Sequence, residues 1–214
     1  ELPKPVPSPS WMQERLATCG LRPIDAVVDV TNYVMLETGH PLHAFDAQTI
    51  VGGQMLVRES KKGEEIITLD GVRRSLPDGV IVIQDRDRII DCAGIMGGQN
   101  SAITSETKYI LLQAAVFDPV RVYHASKKLG LTSAASKLYA AGVDYSFSLH
   151  ALARAIELLE DIAHAKRRGS AYDWYPQKAI PEKILFRSDV ADSIIGHTNG
   201  IAFYQRVFTR LGLP

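Results

Sequence analysis

Helical spacing of apolar residues governs the first forty positions of the chain. It predicts a short helix over residues 11–19, which Ser10 caps and Gly20 ends. A second helix is predicted to begin at Pro23, because proline suits the first helical position, and to end before Gly39. The positions at helical spacing in this second helix are Ile24, Val27, Val28, Thr31, Val34 and Met35.

From Ala44 to Phe117 the pattern changes to short β-branched and apolar runs separated by turns that contain glycine. Asp70-Gly71, between EIITL and VRRSL, is a strong hairpin signal. The region is therefore predicted to be antiparallel and largely β. The predicted strands cover residues 55–59, 65–69, 80–84, 88–93 and 109–116.

After Pro119 the helical spacing returns, and it predicts helices over residues 120–128, 134–141 and 147–165. Together with the strands, these helices predict an α+β fold in which a helical layer packs on an antiparallel, β-rich core. The apolar face predicted for the third helix consists of Leu149, Leu152, Ala153, Ile156, Leu159, Ile162 and Ala163.

Composition along the chain suggests the boundaries of its parts. Both ends look cut from a longer chain, so a fragment is expected, and its last part is too short for an independent core. That part is predicted to hold a strand over 183–187 and helices over 188–195 and 200–211, as a truncated small α/β piece. The predicted parts are a Pro-rich extended linker (1–10), one large domain (11–167), a connector (168–182) and the start of a second domain (183–214).

Charge and cysteine content exclude several classes of protein. Lys and Arg total 24 and so do Asp and Glu, so no field of one sign covers the chain, and any RNA contact is expected to be local or supplied by a partner. Cys19 and Cys92 lie outside any Cys-x-x-Cys spacing, which argues against a disulfide scaffold and a zinc site and fits a reducing cytoplasm. The sequence has no secretory h-region and no apolar run of about 18 residues, so no membrane association is expected.

The residues alone leave the candidate chemistry open. In His40-Pro-Leu-His43 the proline breaks any regular helix, so a metal site is disfavoured, and His43 is either functional or a core histidine bonded to backbone. Gly94 serves either a tight turn or a close approach of backbone to a ligand. The basic run 166–168 suits a solvated helix end or contact with an RNA backbone.

Six sequence blocks over residues 8–165 occur in one order: PSWMQERL, RPIDAVVDVTNYVMLETGHPLHAFD, AGIMGG, LLQAAVFDP, KKLGLTSAAS and AGVDYS. The series resembles the B3/B4 editing module of bacterial-type phenylalanyl-tRNA synthetase β subunits. YDWYP and KILFRS are similar to the family's connection into its B5 domain. The resemblance implies a cytoplasmic module that hydrolyses tyrosine wrongly esterified to the 3′ end of tRNA(Phe). It also implies an α-subunit partner that carries out the synthesis.

By matching position, the resemblance also implies the residues of an editing pocket. His43 and Ser133 are the implied catalytic residues; they would orient the substrate or the hydrolytic water. The implied substrate-binding residues are Thr31, Asn32, Ala93, Gly94, Gln113 and Ala135. No metal and no cofactor are expected in this part of the synthetase, and ATP and Mg are expected only for the complete enzyme.

Two departures from the family pattern bear on activity. Gln113 stands where the family commonly has Glu, and a neutral amide accepts a phenolic hydrogen bond more weakly than a carboxylate does. The stretch 134–141 is rich in alanine where the family carries charges. Three hypotheses therefore stand: an active hydrolase, a degenerate module that serves structure and interface within the synthetase, and a free-standing small-molecule-binding protein.

Overall fold

A computed structural model describes residues 1–3, 6–176, 178 and 183–213. The chain forms two compact units, Glu1–Gly169 and Ser170–Pro214. Helices and antiparallel strands make up the first unit, which confirms the predicted α+β class with its β-rich core. Within the described residues, no helix has the length and apolar character needed to cross a membrane.

The first two helices begin at different residues from those predicted. They are α1 (Ser10–Thr18) and α2 (Ala26–Thr38). Asp25, rather than Pro23, starts α2, because its carboxylate accepts hydrogen bonds from two backbone N–H groups of the first turn at 2.8 and 3.0 Å. Ser10 lies inside α1 and makes no capping hydrogen bond. Gly39 ends α2 as predicted, with a left-handed φ of 73°.

In the described part of the chain, eight strands form three antiparallel sheets, in the orders β2-β5-β6-β7, β1-β8 and β3-β4. The β3-β4 hairpin turns at Asp70-Gly71 as predicted. Strands β1 and β7 were not predicted, because β1 follows a proline-broken helix end and β7 is two residues within a glycine-rich run. The strands are β1 (Leu42–Asp46), β2 (Leu56–Glu59), β3 (Glu65–Ile67), β4 (Arg73–Ser75), β5 (Ile81–Gln84), β6 (Ile89–Cys92), β7 (Met96–Gly97) and β8 (Ile110–Ala114).

The three helices after the sheets confirm the predicted positions. They are α3 (Pro119–Leu129), α4 (Ala134–Ala141) and α5 (Ser148–Ala163). The predicted apolar face of α5 is wrong in part, since Leu149 is 60% exposed. Small side chains at Ala151 and Ala155 are fully buried where α5 packs on α2, so close approach of the helices, rather than the largest residues, sets the buried face.

Strand β1 lies between two apolar clusters, which decides where its side chains point. Ala44 belongs to a cluster with residues of α1, α2 and α5. Phe45, fully buried, belongs to another with Ile83, Ile90 and Ala93. Because side chains alternate along a strand, His43 shares the face of Phe45.

The segment 1–10 was predicted as an extended linker, but several of its described residues pack within the first unit. Leu2 is buried in the cluster of α1, α2 and α5, and its backbone N–H donates to the carbonyl oxygen of Lys108 at 2.7 Å. The buried hydroxyl of Ser8 donates to the carboxylate of Asp29. The described part of this segment therefore contributes to the core.

The second unit contains α6 (Ser188–Ile195) and α7 (Ile201–Arg210), close to the two predicted helices. The predicted strand over 183–187 is wrong, because those residues pair with no strand in the described part of the chain. Phe186 instead packs against the rings of Tyr204 and Phe208, at centroid distances of 5.0 and 4.8 Å. Part of the predicted connector 168–182 lies outside the described residues.

Candidate active site

The β1-β8 ladder brings two of the implied site residues together. His43 lies directly opposite Gln113 in the antiparallel register. Residues opposite each other in such a pair project from the same face of the sheet. The ring of His43 also packs edge-on against Phe45, with centroids 4.4 Å apart and planes at 89°. An imidazole and an amide therefore share one face, with a buried aromatic ring beside them.

Gly97 leaves the space that the His43 ring occupies. A Cβ atom at Gly97 would lie 2.6 Å from Cε1 and 2.7 Å from Nε2 of His43, closer than such atoms approach one another. Glycine within a strand is typical of a close approach of this kind. The position of the imidazole therefore depends on the absence of a side chain at Gly97.

Burial lowers the pKa of His43 to about 4, so its imidazole is neutral at neutral pH. His43 is partly exposed, and no hydrogen bond of its ring is found within the described residues, which distinguishes it from a core histidine bonded to backbone. A neutral imidazole carries one donor and one acceptor nitrogen. His43 is thus able to orient a water molecule or a substrate hydroxyl, but it is a weak base.

His40 has a different environment from His43. It lies in the turn between α2 and β1, is fully buried, and neither ring nitrogen has a hydrogen-bond partner within the described residues. Burial lowers its pKa. In the described part of the chain, no cluster of three or more His, Cys, Asp or Glu side chains is arranged to hold a metal ion.

Tyr139 on α4 connects the β1-β8 ladder to the loop after β6. Its hydroxyl donates to the carbonyl oxygen of Ala115 at 3.0 Å and lies 3.4 Å from that of Pro41, two residues before His43. Its ring covers Gly94, where a Cβ atom would lie 3.0 Å from Tyr139 Cδ2. Gly94 has a φ of 72°, so both its turn and this packing require glycine.

Ser133 caps α4. Its side chain accepts a hydrogen bond from the backbone N–H of Ser136 at 3.0 Å, and its hydroxyl donates to the carbonyl oxygen of Ile95 at 2.7 Å. The Ser136 hydroxyl in turn accepts from the backbone N–H of Ser133, which completes a capping box. The only hydroxyl hydrogen of Ser133 is therefore engaged by protein.

The other implied residues lie on separate elements. Thr31 on α2 is buried, and its hydroxyl donates to the carbonyl oxygen of Val28 at 2.8 Å; Asn32 follows it and is half-buried. Ala93 and Ala135 pack into two different apolar clusters. Helix α2 packs on β1, but within the described residues no hydrogen bond or ring contact joins Thr31 or Asn32 to His43.

Known proteins match the segment that carries these residues. Residues 2–164 match a family model described as the B3/4 domain. The chain belongs to the B3/4 domain family. This match includes every implied site residue, from Thr31 to Ala135.

Curated relatives of this B3/4 domain are phenylalanine–tRNA ligase β subunits. The chain is 42% identical over 190 residues to the one from Carboxydothermus hydrogenoformans, with 89% of the chain and 24% of the relative covered. It is 42% identical over 205 residues to that of Geobacter metallireducens and 41% over 206 residues to that of Gloeobacter violaceus; each covers 96% of the chain and 26% of the relative. The chain thus spans about a quarter of the length of these relatives.

Two surface depressions of this B3/4 domain lie away from the ladder. One, of about 490 Å³, lies between α1 and α2 and is lined in part by Arg15 and Tyr33. The other, of about 260 Å³, is lined in part by Glu65 and Asn100. Neither is lined by His43 or Gln113, so both lie outside the candidate site.

Asp91 on β6 is a residue that the sequence did not single out. It is 5% exposed, and its carboxylate accepts no hydrogen bond within the described residues. Burial raises its pKa to about 7. The signal in the sequence was a single acidic residue inside the apolar run RIIDCAG, which an antiparallel strand would bury on one face or the other.

The cap at Ser133 leads to a stability prediction for this B3/4 domain. We expect Ser133→Ala to lower the free energy of unfolding by about 1–2 kcal/mol, because α4 loses its cap and the Ile95 carbonyl loses a donor. Urea unfolding of the variant and wild type measures the difference. Ser105→Ala, at an exposed serine, is the matched control. A loss in Ser133→Ala no larger than that of the control would show that the cap contributes nothing.

Proposed function

We propose that the chain is the editing module of a phenylalanine–tRNA ligase β subunit and hydrolyses tyrosine wrongly esterified to the 3′ end of tRNA(Phe). The observation that carries the proposal is the placement of His43 opposite Gln113 on one strand face. Membership in the B3/4 domain family and the similarity to phenylalanine–tRNA ligase β subunits support it. The α subunit, the tRNA and tyrosine are the proposed partners, and the cytoplasm is the proposed location.

Recognition of tyrosine depends on one hydroxyl group. An apolar pocket discriminates poorly against an added hydroxyl, whereas a site that hydrogen-bonds this group discriminates strongly against ligands that lack it. Gln113 places a neutral acceptor and a donor on the same face as His43. In the proposed complex the amide oxygen of Gln113 accepts the phenolic hydrogen bond.

Hydrolysis in this proposal uses a positioned water and no covalent enzyme intermediate. The neutral imidazole of His43 orients the water or the terminal ribose, because no hydrogen bond within the described residues engages its ring. Ser133 contributes a remaining acceptor lone pair, since its proton is engaged by Ile95. Thr31, Asn32, Ala93, Gly94 and Ala135 stay proposed lining residues.

A second candidate function is a structural or interface module without editing activity. Two observations favour it: Gln113 is an amide, and the hydroxyl of Ser133 serves as a helix cap. In either case, ATP and Mg belong to the complete synthetase, and residues 183–214 are proposed as the start of its B5 domain.

Deacylation of preformed Tyr-tRNA(Phe) distinguishes the two functions. The assay uses the assembled αβ synthetase whose β subunit contains this chain. We expect His43→Ala to slow release of tyrosine on the order of 100-fold, because the reacting groups lose their orientation. His124→Ala, an exposed histidine on α3, is the matched control and should deacylate at the wild-type rate. Wild-type release no faster than the uncatalysed reaction would favour the structural module.

A further inference from the structure

Asp91 and His43 both lie against Gly97. Asp91 is directly opposite Gly97 in the β6-β7 register, so its side chain projects from the face on which a Gly97 Cβ would lie. The His43 ring fills that same position, 2.6 Å from where the Cβ would be. Since Cβ atoms of opposed residues are 4.5–5.5 Å apart, the Asp91 side chain begins within roughly 8 Å of the imidazole.

A partly exposed side chain, Leu69, lies beside this pair. Leu69 contacts the same point, with its Cδ1 atom 3.2 Å from the position of a Gly97 Cβ, and Leu69 is 47% exposed. Asp91 as a residue is 5% exposed, and its carboxylate accepts no hydrogen bond in the described part of the chain. A carboxylate without a donor keeps its acceptor sites free, so it is able to bind a water molecule.

We propose that Asp91 is the general base of the editing site, and that its carboxylate takes the proton of the water which His43 orients. This inference rests on the proposed function, which it extends by naming the group that activates the water. Gln113 carries a neutral amide, so the carboxylate in this proposal is that of Asp91 on β6.

The groups around Asp91 suit this role. His43 on β1 is neutral at working pH, because burial lowers its pKa to about 4, so Asp91 is the stronger base of the two. Burial, and then the charge of Asp91, raise the pKa of Tyr139 on α4, which therefore stays protonated. Cys92 is likewise protonated, since burial first and Asp91 second raise its pKa to about 12. The charge of Arg74 on β4 acts in the opposite direction and lowers the pKa of Cys92. Arg74 also forms an ion pair with Asp70.

Proton transfer to and from Asp91 accompanies the proposed hydrolysis. One O–H bond of the water breaks, its proton passes to a carboxylate oxygen of Asp91, and the water oxygen bonds to the ester carbonyl carbon. The tetrahedral oxyanion then collapses and the bond from carbon to the ribose oxygen breaks. The ribose oxygen takes the proton back from Asp91, which regenerates the carboxylate and releases tyrosine and tRNA.

Single-turnover deacylation by the αβ synthetase tests the inference. We expect Asp91→Asn to reduce the rate on the order of 100-fold or more with little change in tRNA affinity. Wild type should gain rate as pH rises through about 7, and the variant should lose this dependence. Asp87→Asn, at an exposed acid in the β5-β6 turn, is the matched control and should leave the rate unchanged.

Different results would overturn the base role of Asp91 and the editing function. Wild type and Asp91→Asn deacylating at equal rates, or a loss confined to discrimination between tyrosyl and phenylalanyl esters, would overturn the base role and leave editing intact. A wild-type enzyme without deacylation would overturn both.

A spectroscopic measurement tests the pairing without any need for activity. In the 214-residue chain, the ring resonances of His43 should show a titration step near pH 7 as Asp91 ionises, and this step should vanish in Asp91→Asn. Persistence of the step in the variant, or its absence from wild type, would contradict the placement of Asp91 beside His43.

Discussion

Gly97→Ala is expected to lower the free energy of unfolding by about 1–3 kcal/mol, because the added methyl group overlaps the ring of His43. The ring has little room to move, since it packs edge-on against the fully buried Phe45. Displacement of a catalytic group by about 1 Å costs on the order of 100-fold in rate, so we expect deacylation to fall by a comparable factor. Urea unfolding and single-turnover deacylation measure the two effects.

A double-mutant cycle shows whether the effect passes through His43. In a His43→Ala background the overlapping ring is absent and, of the atoms nearest the new methyl group, only Leu69 Cδ1 remains, at 3.2 Å, so Gly97→Ala should then destabilise the protein far less. The double variant should also deacylate no more slowly than His43→Ala alone. Equal destabilisation by Gly97→Ala in both backgrounds would mean that the glycine is needed for another reason.

Asp91→Asn is expected to stabilise the protein at alkaline pH while it removes activity. Burial raises the pKa of Asp91 to about 7, from an ordinary value of 3.8. Between these values the folded state binds the proton more tightly than the unfolded state, so stability is lost as pH rises through 7. At about 1.4 kcal/mol per unit, the ionised carboxylate lowers the free energy of unfolding on the order of 4 kcal/mol at pH 8. The uncharged amide removes this penalty.

The gain from Asp91→Asn should shrink towards pH 4, where the native carboxyl is already protonated. His43 acts in the opposite direction: burial lowers its pKa to about 4, so its contribution to stability is lost as pH falls below 6.5. Wild-type stability should therefore vary little between pH 5 and 8, and the variant should be more acid-sensitive than wild type. Asp87→Asn is again the control. A gain that is the same at pH 4 and pH 8 would contradict a buried, titrating Asp91.

Asp91 is expected to lower the stability of the protein and to support its activity. A carboxylate that is buried without a hydrogen-bond donor destabilises the fold, and such groups concentrate at functional sites. A variant that is more stable and inactive would show that Asp91 is retained for chemistry. A variant that is more stable and equally active would show that the carboxylate is merely tolerated.

Local signals in the sequence predicted most of the fold. The Asp70-Gly71 turn located the β3-β4 hairpin, and Gly39 located the end of α2, because turn and cap chemistry depends on neighbouring residues alone. The predicted start of α2 was wrong because Pro23 was interpreted as the first helical residue, whereas the carboxylate of Asp25 caps the helix two residues later. The strand predicted over 183–187 was wrong because a β-rich run forms a strand only where another strand is available to pair with it.

The candidate site could not be predicted from local sequence, because it depends on which residues are opposed in strands far apart along the chain. Nothing near His43 in sequence indicates that it lies opposite Gln113, seventy residues later, or that its ring fills the place of a side chain at Gly97. The glycines of the β region were interpreted as turn residues, although Gly97 lies in a strand. Asp91 was overlooked because its significance comes from its burial and from its register with Gly97.

A structure of the protein with a non-hydrolysable tyrosyl-adenosine analogue tests the central claim most directly. We expect the tyrosyl group to lie on the β1-β8 face, with its phenolic oxygen within hydrogen-bonding distance of the Gln113 amide and its carbonyl carbon near His43 and Asp91. Binding of the analogue elsewhere, or no binding at millimolar concentration, would contradict the assignment of this face as the editing site.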